Sequence, residues 1–159
     1  MRKHLTAKRT MAAGLAGTGA VVAAMAVARR SGLTRIAFPR ILATLVTEVS
    51  PASVGAAGVF FVANGVLLAL AYRTVLREFG GTASVSRGAT LGFAHGLVAA
   101  GSAGVLSPMH PRPHAARLAS SGTLRPDPKT LGVIVAVHVL YGAVLGAVAR
   151  GRMAASFTS

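Results

Sequence analysis

The stretch Gly88-Ala89-Thr90-Leu91-Gly92-Phe93-Ala94-His95-Gly96-Leu97-Val98-Ala99-Ala100-Gly101-Ser102-Ala103-Gly104 carries a small residue at every fourth position: 88, 92, 96, 100 and 104. Positions four apart on a helix drift slowly around one face. In lipid, where apolar burial does not drive helices together, small residues on one face let a neighbouring backbone approach closely. The stretch therefore reads as a membrane-spanning helix whose packing face includes Gly88, Gly92, Gly96 and Gly104. Gly142 and Gly146 repeat the pattern near the C-terminus, and Ala13 with Gly17 and Ala16 with Ala20 offer it near the N-terminus.

Working outward, four apolar stretches between charged residues approach the roughly 20 residues needed to cross about 30 Å of hydrocarbon. They cover residues 10–28, 54–72, 88–106 and 130–149. The fold class that follows is all-α: a four-transmembrane-helix bundle with Gly/Ala packing faces, forming a single membrane domain over residues 1–159. The first stretch has two readings. Its basic start and the small residues Ala26 and Ala28 also describe a signal peptide. Arg29 and Arg30, just beyond that cleavage point, favour a retained span.

Between the first two spans, Leu33, Ile36, Phe38, Ile41, Leu42 and Leu45 are spaced as one helical face, which predicts either a helix in the headgroup plane or, because of Pro39, an irregular interfacial loop. The prolines and Ser120-Ser121-Gly122 of the connection 107–129 predict an exposed, extended loop. Lys and Arg divide almost evenly between the two sides, so the positive-inside rule leaves the orientation open.

Composition agrees with a lipid environment. Apolar residues make up 53% of the 159 residues and charged residues 13%, about half the charged share of soluble domains. Seventeen Lys and Arg stand against three acids, Glu48, Glu78 and Asp127. Nucleic-acid binders cluster their cations on a folded face with aromatic stacking partners. Here the cations punctuate apolar runs and aromatics are only 5%, so the expected partner is the bilayer with its anionic headgroups, not nucleic acid. A homo-oligomer or a membrane-protein partner is equally compatible.

The absence of cysteine removes disulfides, thiolate metal sites and cysteine nucleophiles. No acid falls within a span, so an acid–base enzyme lacks its parts. Two histidines do: His95, beside Gly92 and Gly96, and His138, four residues before Gly142. An ionisable group at membrane depth is a functional candidate, and His95 and His138 are the candidate ligands for haem or a metal. The competing reading is a packing role. Asn64 lies nine residues before Arg73 and His95 eight after Arg87, so consecutive antiparallel spans would bring Asn64 and His95 level as an interhelical polar pair. In the loop, His110 and His114 have metal-ligand spacing, but two prolines prevent the helix that would align them.

His110-Pro111-Arg112 after the third span, together with His138, Tyr141, Gly142, Ala143 and Gly146 in the fourth, resembles small bacterial four-helix integral membrane proteins of a loosely YagU-like kind. The group has no established activity; the resemblance implies membrane location and span count and no chemistry. The functional expectation is a non-catalytic multi-pass protein of the bacterial plasma (inner) membrane, a partner or small-molecule-binding subunit. The alternative is a redox protein holding haem or a metal through His95 and/or His138.

Overall fold

The computed structural model describes residues 6–37, 41, 44, 51–78, 83–106, 111 and 126–154. Among them the chain is all-helical, without strands, and folds into α1 (Ala7–Arg30), α2 (Pro51–Glu78), α3 (Val85–Leu106) and α4 (Pro128–Ala154). Residues 34–37 are non-helical, and nearly all of the remaining segment to 50 lies outside the described residues. So do most of the loop 107–129, including His110 and His114.

The helix ends follow from local chemistry. Thr6 caps α1, its hydroxyl accepting the Arg9 N–H at 3.4 Å. At the other end Gly32 takes φ +72°, and its N–H and that of Leu33 reach back to the carbonyls of Arg29 and Ala28, a glycine-terminated Schellman motif. The Ser84 hydroxyl accepts the Arg87 N–H at 3.2 Å before α3. Helix α4 starts at Pro128, two residues earlier than the predicted span. Proline suits a first helical position because its missing N–H would be unpaired there anyway, and Asp127 Oδ1 accepts the Thr130 N–H at 2.7 Å.

The Asp127 carboxyl is held below its ordinary value of 3.8, first by that backbone N–H. The Thr130 hydroxyl donates its one proton to Thr34 at 3.0 Å, so of the two Thr130 groups it is the backbone N–H that holds the carboxylate, with the charges of Lys129 and Arg35 acting in the same direction. A depressed folded value means that the cap stabilises above pH 3.8 and is lost as pH falls through the lower folded value. Asp127→Ala is therefore expected to lower the melting temperature at about pH 6 and to converge with the parent near about pH 2. A difference that persisted at the acid end would show that the carboxylate is not the cap.

Three of these helices contain segments long and apolar enough to cross a membrane: Ala7–Arg30, Gly55–Leu76 and Pro128–Ala149. Large apolar side chains face outward, Val59 at 73% exposure, Val98 at 69% and Leu67 at 65%. In water such a surface would drive association; in a bilayer it meets its matching solvent.

Each packed pair runs antiparallel. Gly88, Gly92 and Gly96 of α3 lie against Gly142, His138 and Val135 of α4, in that order. Gly14 and Thr18 of α1 meet Ala69 and Gly65 of α2. Helix α4 also packs on α1, where Gly17 receives the Tyr141 ring. The chain of contacts is thus α2–α1–α4–α3, and α2 and α3 do not pack along their lengths although they are consecutive. The core gathers Ala13, Ala69, Tyr72, Val137, Tyr141 and Leu145 between these surfaces.

Candidate functional site

The two tyrosines of the chain sit at its centre, and both are buried. A buried phenol has to find a partner for its hydroxyl. Tyr141 on α4 donates to the Gly65 carbonyl on α2, a neutral bond between helices. Gly65 is also where Thr18 of α1 crosses, and a Cβ there would fall on the Thr18 hydroxyl. The glycine after Asn64 therefore serves α1 and α4 together.

Tyr72 of α2 stands edge-on to Tyr141, with ring centres 5.8 Å apart, and its hydroxyl lies 3.3 Å from Nδ1 of His95. His95 in turn meets His138 edge-to-face at 4.5 Å between ring centres. The Ile134 carbonyl lies 2.7 Å from His138 Nδ1. A carbonyl only accepts, so Nδ1 carries the proton, and in the neutral ring Nε2 is left as an acceptor. Tyr141, Tyr72, His95 and His138 thus form one aromatic–imidazole cluster that joins α2 and α3 through side chains where their backbones stay apart.

The expected pairing of Asn64 with His95 is corrected by this arrangement. His95 bonds Tyr72, eight residues or about 12 Å further along α2. Asn64 is exposed, and among the described residues its amide makes no hydrogen bond. The reason is helix order: the α3 glycines turn that helix onto α4 while α2 leans on α1, and a long phenol spans the gap that an amide would have to cross. The two tyrosines were the residues that sequence reasoning missed. Their signal was available, since a tyrosine within an apolar span needs a hydrogen-bond partner.

Beside the cluster lies a cavity of about 300 Å³, bounded by all four helices and largely apolar. Met25, Phe61 and Leu68 supply apolar wall, and Asn64, Ser102 and His138 bring polar atoms to it. The Ser102 hydroxyl is satisfied by the Ala99 carbonyl at 3.1 Å. The Asn64 amide makes no hydrogen bond among the described residues, and His138 Nε2 is an acceptor in the neutral ring.

Of the expected ligand pair, His95 and His138 do come together, but as contacting rings. With metal–nitrogen bonds of about 2.0 Å, two imidazoles across one iron would hold their nitrogens about 4 Å apart and their ring centres farther, beyond the observed 4.5 Å. Among the described residues no group of three or more His, Cys, Asp or Glu could hold a metal. Of the packing glycines, Gly88, Gly92, Gly96, Gly142 and Gly146 stand at backbone approaches where a Cβ has no room, while Gly104 lies near the end of α3 with its surroundings outside the described residues.

No known protein family, curated protein or solved structure matches the chain.

Proposed function

We propose that this chain is a non-catalytic, multi-pass protein of a bacterial plasma membrane. In this reading it is a bundle of four spans with α1 retained, and it works as a small-molecule-binding subunit. The observation that carries it is the cavity of about 300 Å³ between the helices, with an unbonded amide at Asn64 and an imidazole at His138 on otherwise apolar walls. That volume is at the lower end for ligand pockets, which are mostly apolar with a few convergent polar groups. The chemistry favours a compact lipophilic molecule with one polar end, a hydroxyl to donate to His138 Nε2 or a carbonyl to accept from Asn64. Retention of α1 is supported by the core it supplies: Ala13, Val21 and Met25 would leave with a cleaved leader.

The test is extraction of purified protein with organic solvent and mass spectrometry of the extract. About one protein-specific molecule per chain is expected, and much less from Ala99→Phe, which fills the cavity from the α3 side. An extract holding only bulk lipid, identical for parent and variant, would defeat the reading. An absorption spectrum of the same sample addresses the haem alternative. A Soret band that disappears in His138→Ala would replace the lipophile with haem.

A further inference from the structure

The last turn of α1 and the segment after it form a second cavity, of about 640 Å³, bounded by Ala26, Arg29, Arg30, Gly32, Thr34 and Arg35. We propose that it is a binding site for the phosphate group of an anionic lipid headgroup. The inference rests on the reading of the chain as membrane-embedded.

The site is built by the fold. Arg29 and Arg30 are neighbours on α1 and diverge by about 100° around its axis, too far to converge on one anion unaided. The left-handed Gly32 turns the chain sharply, the Leu33 N–H closing on the Ala28 carbonyl at 2.9 Å, so that the following residues bring Arg35 to the same cavity. Arg35 is held there by its neighbours. Thr34 and Ile36 are each 3% exposed, and Thr34 Oγ1 accepts from the Ile36 N–H at 3.1 Å and from the Thr130 hydroxyl at 3.0 Å. Arg35, exposed between the buried Thr34 and Ile36, is turned away from the core.

Charge completes the argument. All three arginines are exposed, and among the described residues none makes an ion pair. Asp127 is near enough to feel the charge of Arg35, and its single negative charge leaves the three guanidinium groups in net excess. The C-terminal end of a helix carries about half a negative charge. Three guanidinium groups outweigh it, and the terminal carbonyls of Arg29 and Ala28 are already bonded. Depth fits as well: the 24 residues of α1 extend about 36 Å, beyond a hydrocarbon core of about 30 Å, which puts the last turn among the headgroups. Guanidinium groups match phosphate oxygens in planar, two-pronged geometry.

The full chain would be reconstituted into phosphatidylcholine vesicles containing spin-labelled phosphatidylglycerol or spin-labelled phosphatidylcholine, and the protein-bound fraction of each label measured. Parent protein should prefer the anionic label. Two-pronged, charge-assisted hydrogen bonds to one phosphate are lost with the guanidinium groups, so Arg29→Gln/Arg30→Gln/Arg35→Gln should lose about ten- to hundred-fold of that preference. A triple variant of equal charge at the opposite end, Lys8→Gln/Arg9→Gln/Arg87→Gln, should keep most of it. Equal losses in both would mean that net charge acts and no site exists, which overturns the proposal. Arg29→Lys/Arg30→Lys/Arg35→Lys retains the charge and should fall between parent and glutamine variant; parent-like binding would overturn the guanidinium fit. Free glycerol phosphate at millimolar concentration should displace little of the anionic label, whereas full displacement would assign the site to soluble phosphate compounds. A protein that fails to float with vesicles at all refutes the membrane reading itself, a result distinct from flotation without lipid preference.

Discussion

Gly88→Ala and Gly142→Ala should each destabilise the folded protein in detergent or bilayer, whereas Gly101→Ala, the same substitution in the same helix as Gly88, should not. At Gly88 an added Cβ would lie on the Gly142 carbonyl, and at Gly142 on the Gly88 carbonyl. Neither oxygen belongs to a side chain that can rotate away, so α3 and α4 must separate. Overpacking of this kind costs about 1–3 kcal/mol, and the separation also removes the close contact at Gly92, whose Cβ position is occupied by the His138 carbonyl. A Cβ at Gly101 or Gly132 meets nothing within 4 Å. There the better helix propensity of alanine contributes up to about 1 kcal/mol of stabilisation. Reversible unfolding in mixed micelles would measure all three variants. If Gly88→Ala and Gly101→Ala shifted stability in the same direction, the α3–α4 contact would not be the one described.

Tyr141→Ala carries the largest expected loss at a single side chain. Its ring is 4% exposed and fills the space between Gly17, Tyr72 and the Gly65 carbonyl. Removing a buried aromatic ring costs about 3–5 kcal/mol, and the vacated volume adjoins the existing cavity, which Tyr141 also lines. Tyr141→Phe separates ring from hydroxyl. It keeps the edge-on contact with Tyr72 and loses only the bond to Gly65, an interhelical hydrogen bond typically contributing about 0.6 kcal/mol and at most about 1.7. A phenylalanine variant as unstable as the alanine variant would mean that the hydroxyl, not the ring, holds α4 to α2.

These two substitutions mark where a reading of the sequence ended. The small-residue periodicity of 88–104 and 142–146 announced faces on which backbones approach closely, because only small residues at that spacing leave a helix surface flat. It did not say which helix would lie on which face. Asn64 and His95 were aligned by counting residues from flanking charges, on the premise that consecutive spans are neighbours. That premise failed at α2 and α3, and His95 found Tyr72. The cavity was illegible for the same reason, since its walls come from four separated stretches and no local pattern encodes the space between them.

What the amino-acid sequence determined by itself is what depends on local spacing and transfer from water. Helical segments, their caps at Thr6, Ser84 and Asp127, the glycine stop at Gly32 and the apolar lengths of α1, α2 and α4 are of this kind. Each follows from residues within a turn or two of one another, or from a sum over about twenty. The tertiary structure decided the order α2–α1–α4–α3, the joining of Tyr72, His95, His138 and Tyr141, and the convergence of Arg29, Arg30 and Arg35 on one cavity. Those depend on which of several small-residue faces meet. Packing in lipid is won by the closest backbone fit, a property of two surfaces together and of neither sequence alone.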